Sequence, residues 1–75
     1  MNFQELKNSF TAKLKELGLQ QKDFGTEVLG GFVGVRPKGY IPTSAWSALH
    51  TYVLEELGGE YIQEKRGWKI PFEPE

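Results

Sequence analysis

Apolar residues along this chain form two helical stripes separated by shorter, strand-like runs. Phe3, Leu6, Phe10, Leu14 and Leu17 recur at steps of three and four, the spacing that gathers side chains on one face of an α-helix. Asn2 stands at the N-cap position, and Glu5, three residues on, completes a capping-box spacing. Gly18 is a natural left-handed stop, and Leu19 beyond it can pack back on Leu14. The pattern predicts a helix over 3–17. In the second stripe Ala45, Trp46, Leu49, Tyr52, Val53 and Leu57 share a broad face, with Ser47, Thr51 and Glu55 opposite. Thr43 or Ser44 supplies its N-cap and Gly58-Gly59 its end, which predicts a helix over 44–57.

The intervening runs are less regular. In 19–31, Phe24 and Val28 are four apart and Gly30 can end a turn. The expectation there is a short helix, weakened by Gly25, or an irregular loop. Phe32, Val33 and Val35 favour a strand. Arg36-Pro37-Lys38-Gly39 has the Pro and Gly placement of a type I turn, with Tyr40 and Ile41 returning before Pro42 stops the pairing. That reading puts a short hairpin at 32–41. The tail "EYIQEKRGWKIPF" reads as a second hairpin. A turn at Glu64-Lys65-Arg66-Gly67, with Gly67 left-handed, pairs Glu64 with Trp68 and Ile62 with Ile70. In that register the two isoleucines face one way, and Tyr61 and Trp68 lie on opposite faces. Residues 73–75 are expected to fray.

Neither helix can bury its stripe alone. The expected fold is therefore α+β, a single compact domain over 1–75, with both helices laid on a small antiparallel sheet of two short hairpins.

Composition narrows the function without naming it. The 75 residues carry nine cationic and ten acidic side chains, a net charge of −1, which is not the balance of a protein that coats nucleic acid indiscriminately. Charge is uneven: 1–22 holds four lysines against two glutamates, and 54–75 holds six glutamates against three cations. The chain contains no cysteine, so disulfide and thiolate chemistry are excluded and a cytoplasmic home is favoured. No apolar run approaches the ~20 residues that span a bilayer. The start, "MNFQELKNSF", lacks a secretory-signal pattern. One histidine, His50, and one aspartate give no metal-ligand set. His50, at the border of the apolar face, is expected to be a hydrogen-bonded structural residue. "GGFVG" at 30–34 lacks the Gly-Lys-Ser/Thr of a phosphate loop, so no nucleotide cofactor is expected. No nucleophile–base pair is spaced for catalysis, and a non-enzymatic protein is expected.

Two surface tips remain. "RPKGY" offers Arg36, Lys38 and Tyr40; "EKRGWK" offers Lys65, Arg66, Trp68 and Lys69. Eleven residues are Phe, Tyr, Trp or His, many for one small core. An exposed Trp or Tyr ringed by cations has the character of an interface hot spot. The leading expectation is an accessory or regulatory interaction domain using Trp68, Tyr61 and Tyr40 against a protein partner. An exposed edge strand would allow pairing with that partner or with a second copy of the chain. The alternative is nucleic-acid contact. A helix followed by a basic two-stranded hairpin resembles, in architecture, a winged-helix module. The resemblance implies that Lys65, Arg66 and Lys69 in the wing, helped by Arg36 and Lys38, meet phosphates. The order of elements departs from that fold, because a hairpin at 32–41 separates the two helices. Everything turns on whether the five cations fall on one side of the molecule.

Overall fold

The computed structural model describes residues 1–73. Helix α1 spans Phe3–Glu16, strands β1 and β2 span Phe24–Leu29 and Phe32–Pro37, helix α2 spans Thr43–Glu55, and strands β3 and β4 span Glu60–Ile62 and Gly67–Pro71. The strands form one antiparallel sheet in the order β1-β2-β4-β3, made of two hairpins joined through β2 and β4. Both helices pack on the same side of it. Leu6, Phe10 and Leu14 of α1 and Leu49 and Val53 of α2 share one core with Val33, Val35, Trp68 and Ile70 of the sheet. The other side of the sheet carries no helix. The α+β architecture with two helices over two hairpins is therefore the one the hydrophobic pattern implies.

The ends of α1 follow its sequence signals. Asn2 Oδ1 accepts from the Glu5 amide at 2.8 Å, and Glu5 Oε1 accepts from the Asn2 amide at 3.1 Å. Gly18 is left-handed at φ +75°, and the Leu19 amide closes back to the Leu14 carbonyl at 2.8 Å. The start of α2 differs from expectation. Its N-cap is Pro42, with no side-chain cap bond from Thr43 or Ser44.

Three expectations for the strands are corrected. First, 19–31 is neither helix nor loop: a 3₁₀ turn at Gln21–Asp23 leads into β1. Phe24 and Val28 misled because a spacing of four lies on one face in both helix and strand. Second, the first hairpin turns at Gly30-Gly31, not at Arg36–Gly39. Leu29 pairs with Phe32 across that two-residue loop, and Gly30 takes φ +62°. The chain after Pro37 leaves the sheet, held by the Lys38 amide on the Asp23 carbonyl at 2.8 Å, and Tyr40 and Ile41 form no strand. Third, the second hairpin is out of register with the expectation by an odd number of residues. Tyr61 pairs with Trp68 and Ile62 with Gly67. An odd slip exchanges the faces, so Tyr61 and Trp68 lie side by side, and Ile62 and Ile70 point opposite ways.

Gly67 of β4 packs directly against β2. A Cβ there would collide with the Val35 carbonyl oxygen and stand 2.8 Å from Arg36 Cβ. The glycine serves the close approach of β4 to β2, while Arg66 takes the left-handed turn position at φ 53°. At the C-terminal end, Glu73 is held rather than frayed. Its amide donates to the Met1 carbonyl at 2.9 Å, and its carboxylate lies 3.5 Å from the Met1 ammonium. The rest of the expected frayed tail, 74 and 75, lies outside the described residues. No described helix is long and apolar enough to cross a membrane.

Candidate functional site

Strand alternation assigns the residues of the bare sheet face. Gly25, Glu27 and Leu29 of β1 lie opposite Arg36, Gly34 and Phe32 of β2. Phe32 and Gly34 in turn lie opposite Pro71 and Lys69 of β4, and Lys69 lies opposite Glu60 of β3. Three glycines, Gly25, Gly34 and Gly67, thin the middle of this surface. The result is a shallow concavity of about 770 Å³, lined in part by Arg36, Lys65 and Lys69. At one end, Leu29, Phe32 and Pro71 make an apolar row across three strands. Leu29 is 45% exposed and Phe32 38%.

The five cations are thus partly gathered. Arg36, Lys65 and Lys69 line the same concavity. Lys38 stands beside Arg36: Lys38 Cε and Arg36 Cγ lie 3.7 and 3.8 Å from the point a Gly25 Cβ would occupy. Arg66 is exposed at the β3–β4 turn. Lys69 Nζ sits 4.1 Å from the centre of the Phe32 ring, a cation–π contact that ties the charged and apolar halves of the face.

The aromatic expectations fare differently. Trp68 is 1% exposed, the largest fully buried side chain, and presents no ring to a partner. Its exposure was inferred from the wrong strand face. Tyr61 is half-buried beside it, in edge contact with Trp46 and His50 at 5.7 and 5.5 Å. Tyr40 is 90% exposed on the segment after β2. The apolar residues the bare face does offer are Leu29, in a segment whose sequence suggested a helix or loop, and Phe32, in a strand whose outward face the sequence does not set. The available signal was the doublet Gly30-Gly31 between apolar runs.

His50 completes the aromatic group and explains why Trp68 can be buried. The Trp68 Nε1–H donates to His50 Nδ1 at 3.0 Å, and the imidazole stacks on Trp46 at 4.7 Å. Replacing His50 with leucine leaves a buried indole N–H without an acceptor, an expected cost of about 1–3 kcal/mol. Urea unfolding of His50→Leu measures it; a midpoint equal to the wild type's would show the bond to be dispensable.

Among the described residues no group of three or more His, Cys, Asp or Glu side chains could hold a metal ion. No protein-family model matches the chain, and no curated protein or solved structure matches it.

Proposed function

We propose that this chain is a small non-enzymatic interaction domain that docks a partner protein on the bare face of its sheet. The observation that carries the proposal is the exposed apolar row Leu29–Phe32–Pro71 set beside the cations of one concavity. An apolar patch flanked by charges of one sign suits a partner segment whose apolar side chain seats on Leu29 and Phe32. A neighbouring carboxylate would then reach Arg36 and Lys65. Among the described residues of the concavity's lining, Glu27 is the one acidic side chain, against three cations.

The test is paired affinity capture, followed by reconstitution of any captured protein from pure components. Leu29→Ser with Phe32→Ser is expected to weaken the reconstituted complex by at least about tenfold. The fold should survive, because both side chains lie on the face away from the core. A reconstituted partner that binds this double variant as tightly as the wild type would overturn the proposal.

Nucleic-acid contact, including the winged-helix version with 64–69 as the wing, is the second reading. It is favoured by Arg36, Lys65 and Lys69 sharing one concavity. Two features weigh against it. The Phe32 ring is engaged by Lys69 rather than free to stack on a base. The exposed side of α2, with Ser47, Thr51 and Glu55, offers no cation to a groove. Binding of a thymidine oligonucleotide that falls steeply with salt and is lost in Lys65→Ala with Arg66→Ala would reverse the order of the two readings.

A further inference from the structure

A separate hollow lies on the helix side of the sheet, between α1 and the outer strand β1. Helix α1 carries Leu6, Phe10 and Leu14 into the core, but it leaves the far end of β1 uncovered, where Val28 is 56% exposed. The space left is about 460 Å³, within the range of small-molecule pockets. Its inner wall is apolar, with Phe10 and Phe24 edge to face at 5.9 Å. Its other lining residues include Lys7, Lys22, Lys38, Thr11, Gln21 and Thr26.

Lys7 comes from α1 and Lys22 from the 3₁₀ turn, whereas Lys38 borders the hollow at the segment after β2 and runs its chain past Gly25 toward the bare face. All three are exposed, and none forms an ion pair with a described carboxylate. Among the described residues no acidic side chain lines the hollow. Lys7 and Lys22 thus border one apolar cleft that no described carboxylate lines. Like charges brought together repel, and an anion placed among them relieves that repulsion. Neutral donors are at hand as well. Gln21 Nε2 donates to Thr11 Oγ1 at 2.6 Å, and Thr26 stands on the helix side of β1, opposite Val35.

We infer that this hollow binds a small amphipathic anion, an apolar body carrying a single carboxylate or like headgroup. The body would lie against Phe24 and Phe10, and the headgroup would meet the lysine ammonium groups, which as flexible point charges follow a headgroup without needing a fixed geometry. The site lies on the opposite side of the sheet from the proposed protein-docking face and does not depend on that reading.

Decanoate is the probe, titrated into isotope-labelled protein at low salt and followed by amide chemical shifts. Saturable one-to-one binding is expected, with the largest shifts at Thr11, Phe24, Thr26 and Lys38 and little change at Phe32 or Lys69. Decanol, which lacks the charge, and inorganic phosphate, which lacks the apolar body, are each expected to bind at least about tenfold more weakly. Changing Lys7 and Lys22 together to glutamine is expected to lower decanoate affinity by about tenfold or more while leaving thermal unfolding in place. Thr26→Phe should block binding by filling the cleft. Decanol binding as tightly as decanoate, unchanged affinity in the double variant, or no saturable shift at Thr26 would each overturn the inference.

Discussion

Trp68→Ala is expected to cost about 3–5 kcal/mol of folding stability. A domain of 75 residues has roughly 4–11 kcal/mol in all, at the usual stability per residue. At the lower end of that range the variant would be largely unfolded at room temperature. The indole touches both layers. It pairs with Tyr61 across the second hairpin and lies 5.9 Å from Trp46, and its N–H ends on His50 of α2. Truncation would open a cavity at the junction of helix and sheet and leave His50 without its donor. Trp68→Phe keeps a ring in place and should cost less, about 1–3 kcal/mol. Equilibrium unfolding in urea, followed by far-ultraviolet circular dichroism, reads both values. A Trp68→Ala protein that unfolds at the wild-type midpoint would show the indole to be a surface residue, as an interface anchor must be, and would refute the packing described above.

The second large effect is expected at Gly67, where alanine should cost about 1–3 kcal/mol or more for a single added methyl group. That methyl would strike the Val35 carbonyl oxygen and stand 2.8 Å from Arg36 Cβ and 3.2 Å from Arg36 Cα. The first and last of these are backbone atoms, so relief requires β2 and β4 to move apart, and that pairing is the only one joining the two hairpins. Gly34→Ala is the matched control on the same face. Its methyl would meet only the Glu27 carbonyl oxygen, at 3.8 Å, which is ordinary contact, and a change within about 1 kcal/mol is expected because alanine loses less backbone entropy than glycine. Hydrogen exchange should show the Gly67→Ala damage concentrated in the β2–β4 ladder. Equal stability of the two variants would mean that the close approach at Gly67 carries no energetic weight.

These two positions also fix how the proposed surfaces arise. Arg36 and Lys69 are far apart in the sequence, and they share one concavity because β2 and β4 pair with Gly34 opposite Lys69. A shift of β4 by one residue against β2 would turn Lys69 toward the helices and put Trp68 and Ile70 on the bare face. The proposed docking face therefore depends on the junction held by Gly67 and on the core beneath Trp68.

Much of the fold was legible in local signals. Helix α1 follows from a stripe at steps of three and four, a reciprocal cap between Asn2 and Glu5, and a left-handed Gly18, all interactions within a few residues of one another. The core face of α2 follows in the same way, as does the presence of a hairpin near 60–71. The failures have equally specific causes. Phe24 and Val28 satisfy helix and strand periods alike. At Arg66-Gly67 the glycine marked a strand contact, although glycine is ordinarily the residue that takes the left-handed turn position. The buried status of Trp68 depended on His50, eighteen residues away, supplying an acceptor for its N–H.

By itself, then, the sequence determined the helical segments, the strand-forming character of 32–35 and 60–71, the α+β class and the absence of thiol chemistry, because each depends on neighbouring residues or on composition alone. Only the tertiary structure decided which side of the sheet each strand residue occupies and which lysines and arginines become neighbours. Those outcomes hang on the parity of non-local strand pairings and on where the helices lie, and no short stretch of chain contains either.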